Sequence, residues 1–416
     1  MTDGTLQTVV YDAAEVVVGQ REGAWPAGDP GDELLDVQED ASVAVVDGVV
    51  AAVGPTEDVL REYPAENADT VVDASGQAVV PGFVDPHTHA VFAGDRSDEF
   101  EAKLRGKTYQ ELLAEGGGIL RTVDATREAS EATLEANLRE HLDTMLAHGS
   151  TTVEVKSGYG LDVETELKML SAIDAVAEDH PVDVVATFMG AHAVPGDRDA
   201  DAYVESVVDD QLPAVADQGV AEFCDVFCED GAFTVEQSRR VLEAGVEHGL
   251  TPKVHAEELA HIGGTKLAAD VGAASADHLL HSTREDVDAL VDADVVPVVL
   301  PGTAFGLGAD YADADTMLDA DAPVAVATDF NPNCHSPSMG FAQSLCCVEM
   351  GMTPAQALVA ATEHAAGALD RPRRGRLDEG SPADLAILDA PSYVHVPYQF
   401  GVNVVDTVLK DGEVVA

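Results

Sequence analysis

Eight short apolar runs recur between residues 82 and 328: Gly82–Pro86, Thr151–Val155, Val182–Phe188, Glu222–Phe227, Pro252–His255, Ala274–His278, Val295–Leu300 and Pro323–Thr328. Runs of this length suit strands buried on both faces, as in a parallel sheet. Helical patterns lie between most of them. Leu134, Leu138, Leu142, Met145 and Leu146 repeat at helical spacing, and Gly149 closes that helix. Thr234 and Gln237 form a capping-box pattern opening another helix, with Leu242 and Val246 on its buried face and Gly249 at its end. Strand–helix alternation repeated eight times predicts an α/β fold, a closed (β/α)8 TIM barrel. An open doubly wound sheet is the rival, but no Gly-x-Gly-x-x-Gly follows the first run.

The two ends of the chain have a different texture. Thr8–Tyr11, Ala41–Val46 and Val49–Val53 read as strands, with Asp47-Gly48 as a hairpin turn. Ala383–Leu388, Val402–Leu409 and Glu413–Ala416 repeat that texture around Asp411-Gly412. We therefore expect a small β-sandwich domain built from residues 1–81 and 371–416, flanking a barrel domain over 82–370. The Gly-, Pro- and acid-rich stretch Ala24–Asp40 reads as a surface loop.

Composition limits what such a barrel can meet. The chain has 416 residues, with 77 Asp and Glu against 22 Lys and Arg, a formal charge of −55. That field repels nucleic acid and anionic membranes, so neither is expected as a partner. Disorder requires low hydrophobicity, whereas 46% of these residues are apolar. Self-repulsion of this size is screened well only by concentrated salt, which points to a salty, halophilic cytoplasm. The five cysteines are odd in number and sit in apolar or site-like contexts, as reduced cytosolic thiols do. No cationic leader and no run of about 18 apolar residues occurs, so a soluble cytoplasmic protein is expected.

Active sites of barrels lie where the strands end. The first run finishes in Asp85-Pro86-His87-Thr88-His89, the fifth in His255-Ala256-Glu257-Glu258, the sixth in Asp277-His278 and the eighth in Asp329-Phe330-Asn331. His87 and His89, two apart in an extended segment, point the same way. Together with His255 and Asp329 they can bind a divalent metal, and nitrogen and carboxylate ligands suit zinc, iron or manganese.

That layout resembles the amidohydrolase superfamily of metal-dependent hydrolases. Within it, the local motifs are similar to the imidazolonepropionase family, which opens the imidazolone ring in histidine breakdown. The resemblance rests on Val84–His89, Phe92-Ala93-Gly94-Asp95-Arg96, Gly116-Gly117-Gly118-Ile119, Thr152–Gly160 and Gly190–Pro195. Ser275–His278, Leu300–Phe305 and Ala327–Pro332 complete it, so the match spans the whole barrel. It implies a single Zn2+ or iron ion (2+ or 3+) on His87, His89, His255 and Asp329. Binuclear relatives carry a bridging lysine on strand four. Here strand four has none, and Lys156 lies on strand two.

The resemblance also implies 4-imidazolone-5-propanoate as a small-molecule substrate, and a homodimer. Arg96 matches the arginine that pairs with the propionate, a task suited to a guanidinium fork. Tyr159 and His192 match ring and carboxylate contacts, and Glu258 a carboxylate that bonds the ring. Asn331, Asn333 and Cys334 match a loop that contacts substrate, although Asn331–Pro337 departs from the commoner glycines and small hydroxyl residues there. Cyclic-amide hydrolysis needs a nucleophilic water, a polarised carbonyl and a proton for the leaving nitrogen. Asp329 suits the proton transfers, His278 the oxyanion, and Glu258 either orientation of the ring or proton shuttling. A deaminase or deiminase of the same superfamily is the nearest rival function, and a non-catalytic scaffold a more distant one.

Other residues have plainer readings. His148 and His248 precede glycines at helix ends, where imidazolium complements the dipole, and His141, His180, His261, His364 and His395 are also read as structural. His281 is expected to start a helix. His335 could reach substrate from its loop. Cys224 and Cys228 are read as core, since no second pair accompanies them. Glu154 and Lys156 are open to two readings, a buried ion pair or a catalytic role. Gly116–Gly118 reads as a mobile loop over the site, since no P-loop lysine follows it.

Overall fold

All eight apolar runs become strands of one parallel sheet. In the computed structural model, which describes residues 5–26, 34–107, 117–196 and 198–416, these strands are β6 (Phe83–Asp85), β7 (Ser150–Lys156), β8 (Asp183–Ala191), β9 (Phe223–Cys228), β10 (Thr251–Ala256), β11 (Ser275–His278), β12 (Val296–Val299) and β13 (Ala325–Val326). They pair in sequence order. Backbone bonds at the two outer strands close the ring: Asp329 N–H donates to the His87 carbonyl (3.1 Å) and His89 N–H to the Phe330 carbonyl (2.9 Å). The Asp85 carboxylate adds bonds from the Thr328 amide and hydroxyl. The result is a barrel, not the open sheet.

Helices cover the outside for the reasons their sequences give. Glu131–Ala147 is capped by Ser130, buries Leu134, Leu138, Leu142, Met145 and Leu146, and stops at His148 before Gly149, whose φ is +92°. Thr234 and Gln237 make both bonds of a capping box at Val235–Glu247. One expectation for that helix fails: Val246 is 51% exposed. The buried face is Ser238, Val241, Leu242 and Gly245. A Cβ on Gly245 would lie 3.0 Å from Cys224 Cβ, so the helix approaches β9 at Gly245 and turns Val246 outward. The helix expected to begin at His281 begins at Arg284, capped by Thr283, and His281 is exposed in the turn before it.

The second sheet joins both ends of the chain. Its strands are β1 (Leu6–Gln20), β2 (Leu35–Val46), β3 (Val49–Pro55), β4 (Thr70–Asp73), β5 (Ala78–Pro81), β14 (Leu385–Leu388), β15 (Val405–Lys410) and β16 (Glu413–Val414). The order is β16-β15-β14-β5-β1-β2-β3, with β4 beside β1. The expected small β domain of both termini is present as this sheet, hydrogen-bonded throughout, with its two ends brought together. Thr8 Oγ1 donates to the Gly412 carbonyl, Ala383 N–H to that of Gly48, and Val10, Val43, Val79, Leu385 and Leu409 share one core. The expected loop Ala24–Asp40 is only partly one. Residues 27–33 lie outside the described residues, and Leu35–Asp40 is already strand β2, paired with β1. Among the described residues, no helix is long and apolar enough to cross a membrane.

Candidate active site

The barrel mouth gathers the expected ligand atoms. His89 Nε2 and His255 Nε2 face each other at 3.4 Å. Asp329 Oδ1 lies 3.6 Å from Nε2 of both His87 and His89. His87 Nε2 is buried without a hydrogen-bond partner. Tetrahedral zinc with nitrogen ligands at about 2.1 Å would set neighbouring ligand atoms about 3.4 Å apart, so the donor set fits one such ion. Burial, with the charge of Lys156 next for His87 and of His192 next for His89, holds both imidazoles well below the usual histidine range. They are neutral and free to donate a lone pair.

Carboxylates behind the rings decide which nitrogen faces inward. His87 Nδ1 lies 2.6 Å from Asp277 Oδ2, and His255 Nδ1 lies 3.0 Å from Asp225 Oδ2. Such partners fix tautomer and ring orientation. A buried ionic floor supports them. Lys156 Nζ stands 2.7 Å from Glu154 Oε2, 2.8 Å from Asp225 Oδ2 and 3.9 Å from Asp277 Oδ2. Lys253 Nζ lies 3.1 Å from Glu154 Oε1 and donates to the Pro86 carbonyl at 2.7 Å. Burial alone would lower the Lys156 pKa, but Asp225, Glu154 and Asp277 outweigh it and hold the ammonium charged. Between the two sequence readings of Lys156 and Glu154, the structure selects the buried ion pair.

Backbone strain sharpens the strand ends. His278 has φ of +81° and Asp329 of +49°. A histidine in the left-handed region is uncommon, and such strain clusters at functional sites. The turn after β13 aims Asp329 at the imidazoles, and the Thr303 hydroxyl donates to its second oxygen, Oδ2.

A cavity of about 130 Å³ opens above these groups. Arg96, Tyr159, His192, Glu258, His278, Asn331 and Asn333 line it, together with His89, His255 and Asp329. His192 stacks on His89, with ring centroids 4.8 Å apart. Burial first, then the Asp329 carboxylate, pushes Glu258 up to about 8. His278 Nε2 stands 3.7 Å from Glu258 Oε2, and its own pKa is held low chiefly by burial. Asn331 has a structural share: its Oδ1 accepts from the Asn333 and Cys334 amides, shaping the loop.

Cys334 does not reach this cavity. Its thiol lies 3.6 Å from the Thr328 carbonyl, and burial keeps it protonated. It lines, with His335, a separate outer cavity of about 480 Å³ that shares only Arg96 and Asn333 with the inner one. The tight Asn331–Cys334 turn rotates the cysteine inward beneath the loop. Cys224 and Cys228 are buried core residues, as expected. Of the Gly116–Gly118 loop, Gly116 lies outside the described residues, and Gly118 caps the helix Ile119–Glu128.

Sequence reasoning gave no role to several residues here. Asp225 and Lys253 are charged residues inside strands β9 and β10, and a charge within an apolar run implies a buried partner, a usable signal. Ile119 and Thr303, within the matched stretches Gly116–Ile119 and Leu300–Phe305, and Phe227, at the end of the fourth run, line the cavity without having been given a role. Glu99 was also unmarked, although its spacing of three from Arg96 allows a helical pair.

A barrel whose strand ends bring four candidate metal ligands together has the layout of a metal-dependent hydrolase of the amidohydrolase class. The Amidohydrolase family model matches residues 78–415. An imidazolonepropionase of Haloarcula marismortui is 70% identical over 413 residues, covering 99% of this chain and 96% of its own. That of Geobacillus kaustophilus is 49% identical, covering 92% of this chain and 91% of its own. The chain belongs to the amidohydrolase family and, within it, to the imidazolonepropionases. Among solved structures, a zinc-bound adenosine deaminase of Xanthomonas campestris superposes with a TM-score of 0.74 at 18% identity, over 99% of this chain and 93% of that one. Atrazine chlorohydrolase of Arthrobacter aurescens, complexed with zinc, gives 0.73 at 17%, over 98% and 95%. These two share the fold.

Proposed function

We propose that this chain hydrolyses the ring amide of 4-imidazolone-5-propanoate to N-formimidoyl-L-glutamate, with one zinc or iron ion on His87, His89, His255 and Asp329. The carrying observation is that three of those ligands and the Arg96 guanidinium line one small cavity. Such a space suits a compact ring that presents a carbonyl at one end and a carboxylate at the other.

A divalent cation held by these residues supplies Lewis acidity and a water that ionises near neutral pH. The rest falls to the chain. Water oxygen bonds to the ring carbonyl carbon, and Asp329 takes a water proton. Thr303 keeps the carboxylate aimed during that transfer. His278, neutral at working pH, donates an N–H to the tetrahedral oxyanion. As the carbon–nitrogen bond breaks, Asp329 returns the proton to the departing nitrogen, and the former carbonyl carbon becomes a carboxylic acid that loses its remaining water-derived proton to solvent. Burial and the Asp329 carboxylate favour the protonated form of Glu258, which can both donate to and accept from the ring. Arg96 pairs with the propionate, Tyr159 and His192 flank the ring, and Asn331 and Asn333 border it.

Residues 82–370 form the catalytic unit in this reading, with 1–81 and 371–416 as its support. The protein works as a cytoplasmic homodimer. Light scattering in multimolar KCl tests the dimer. The decisive assay follows loss of imidazolone ultraviolet absorbance in high KCl, with and without chelator. Consumption that stops with chelator and with His87→Ala supports the proposal. Ammonia release from the ring, or turnover indifferent to both treatments, overturns it.

A further inference from the structure

Arg96 borders two cavities, the inner one of about 130 Å³ and the outer one of about 480 Å³. A five-atom guanidinium stem could serve either, so something must choose. Arg96 is the residue before the helix Ser97–Leu104, and Glu99 lies in its first turn. Both side chains are buried, at 9% and 5% exposure. Arg96 Nε donates to Glu99 Oε2 at 2.9 Å. The other carboxylate oxygen, Oε1, accepts the Gly118 amide at 3.0 Å, and Arg121 Nη1 stands 3.7 Å from it. Gly118 (φ +72°, ψ −153°) holds a conformation open essentially to glycine alone. It leads directly into Ile119, which lines the inner cavity.

We propose that Glu99 is a positioning residue that aims Arg96 into the inner cavity and so makes this site selective for carboxylate-bearing rings. Among the described residues Glu99 engages Arg96 through Nε, a geometry that leaves both terminal amino groups to grip a carboxylate end-on and bidentately. Its second oxygen accepts the Gly118 amide, which holds the carboxylate itself in place beneath Arg96. Without Glu99 the guanidinium is free to swing toward the outer cavity, and the ring loses its distant tether. The inference rests on the reading that Arg96 binds the propionate.

The test compares Glu99→Ala, Arg96→Ala and the double variant on two substrates, 4-imidazolone-5-propanoate and a 5-alkyl imidazolone lacking the carboxylate. For Glu99→Ala we expect KM for the propanoate to rise between about tenfold and a hundredfold, the scale of a misplaced contact. Its kcat should change less than about twofold, and the alkyl substrate should not distinguish the variant from the parent. Adding Glu99→Ala to Arg96→Ala should cost nothing more, since one residue acts through the other. Glu99→Gln keeps the size and one acceptor oxygen, although its NH2 then faces the other N–H group, and should recover part of the loss, which guards against a folding artefact. Parental KM in Glu99→Ala, equal losses on both substrates, or additive losses in the double variant would each overturn the inference. Parental KM in Arg96→Ala would instead sink the substrate assignment, and that outcome is read separately.

Discussion

The floor and the rim of the inner cavity are built on opposite plans. The floor consists of strand ends, and three of its four candidate ligands have a second group behind them: Asp277 behind His87, Asp225 behind His255, Thr303 behind Asp329, with Lys156 joining the carboxylates. Every ionic member of that network is sealed from solvent. The rim comes from loops and a first helical turn. Arg96 has one charged partner, and Asn331 and Asn333 are only half-buried. The difference follows from the two tasks. Groups that hold a cation must keep their mutual geometry, whereas groups that admit and release a substrate must be free to adjust.

The contrast can be broken most forcefully at the floor. Removing metal, or replacing His87 by Ala, should lower hydrolysis by at least about a thousandfold, because no other group generates the nucleophile. Chelator titration with metal readdition measures it. Next in size is Lys156→Met, which takes the lysine from Asp225 and leaves Glu154 with Lys253 alone. Denaturant unfolding should show a loss of roughly 3–5 kcal/mol, against less than about 1 kcal/mol for Asn333→Ala at the rim. The Lys156→Met deficit should persist along a KCl series even as the parent melting temperature rises, since buried pairs escape screening that quiets the surface charge. Thr303→Val should lower kcat about tenfold to a hundredfold with KM little changed, read from steady-state kinetics. Smallest is Cys334→Ser: because the thiol faces a carbonyl beneath the loop, both constants should stay within about twofold.

What the chain discloses on reading follows the same division. Strands buried on both faces leave continuous apolar runs, so each of the eight barrel strands is visible, and a polar residue ending such a run is conspicuous. His87, His89, His255, His278 and Asp329 were legible for that reason. Of their supports only the Glu154–Lys156 ion pair was among the sequence readings. Asp225 meets His255 thirty residues away in sequence, and Lys253 meets Glu154 across the barrel, so only folding joins them. Leu35–Asp40 escaped notice because Asp36, Glu39 and Asp40 give a paired strand the composition of a loop. Cys334 misled because a motif position fixes neighbours along the chain, whereas the Asn331 turn decides which way a side chain faces.

The barrel's closure carries a last consequence. Between β6 and β13 the ring has a seam, held by few bonds, two of them from the backbones of His87, His89 and Asp329 themselves. The proposed ligands therefore sit on both lips of that seam: His87 and His89 on one, Asp329 on the other. Any ion gripped by all three works as a rivet between the first staves of the cask and the last. Below it, β5 and β14 lie side by side, so the chain enters and leaves the barrel through a single hinge post. Filling the site and locking the cask are then the same act.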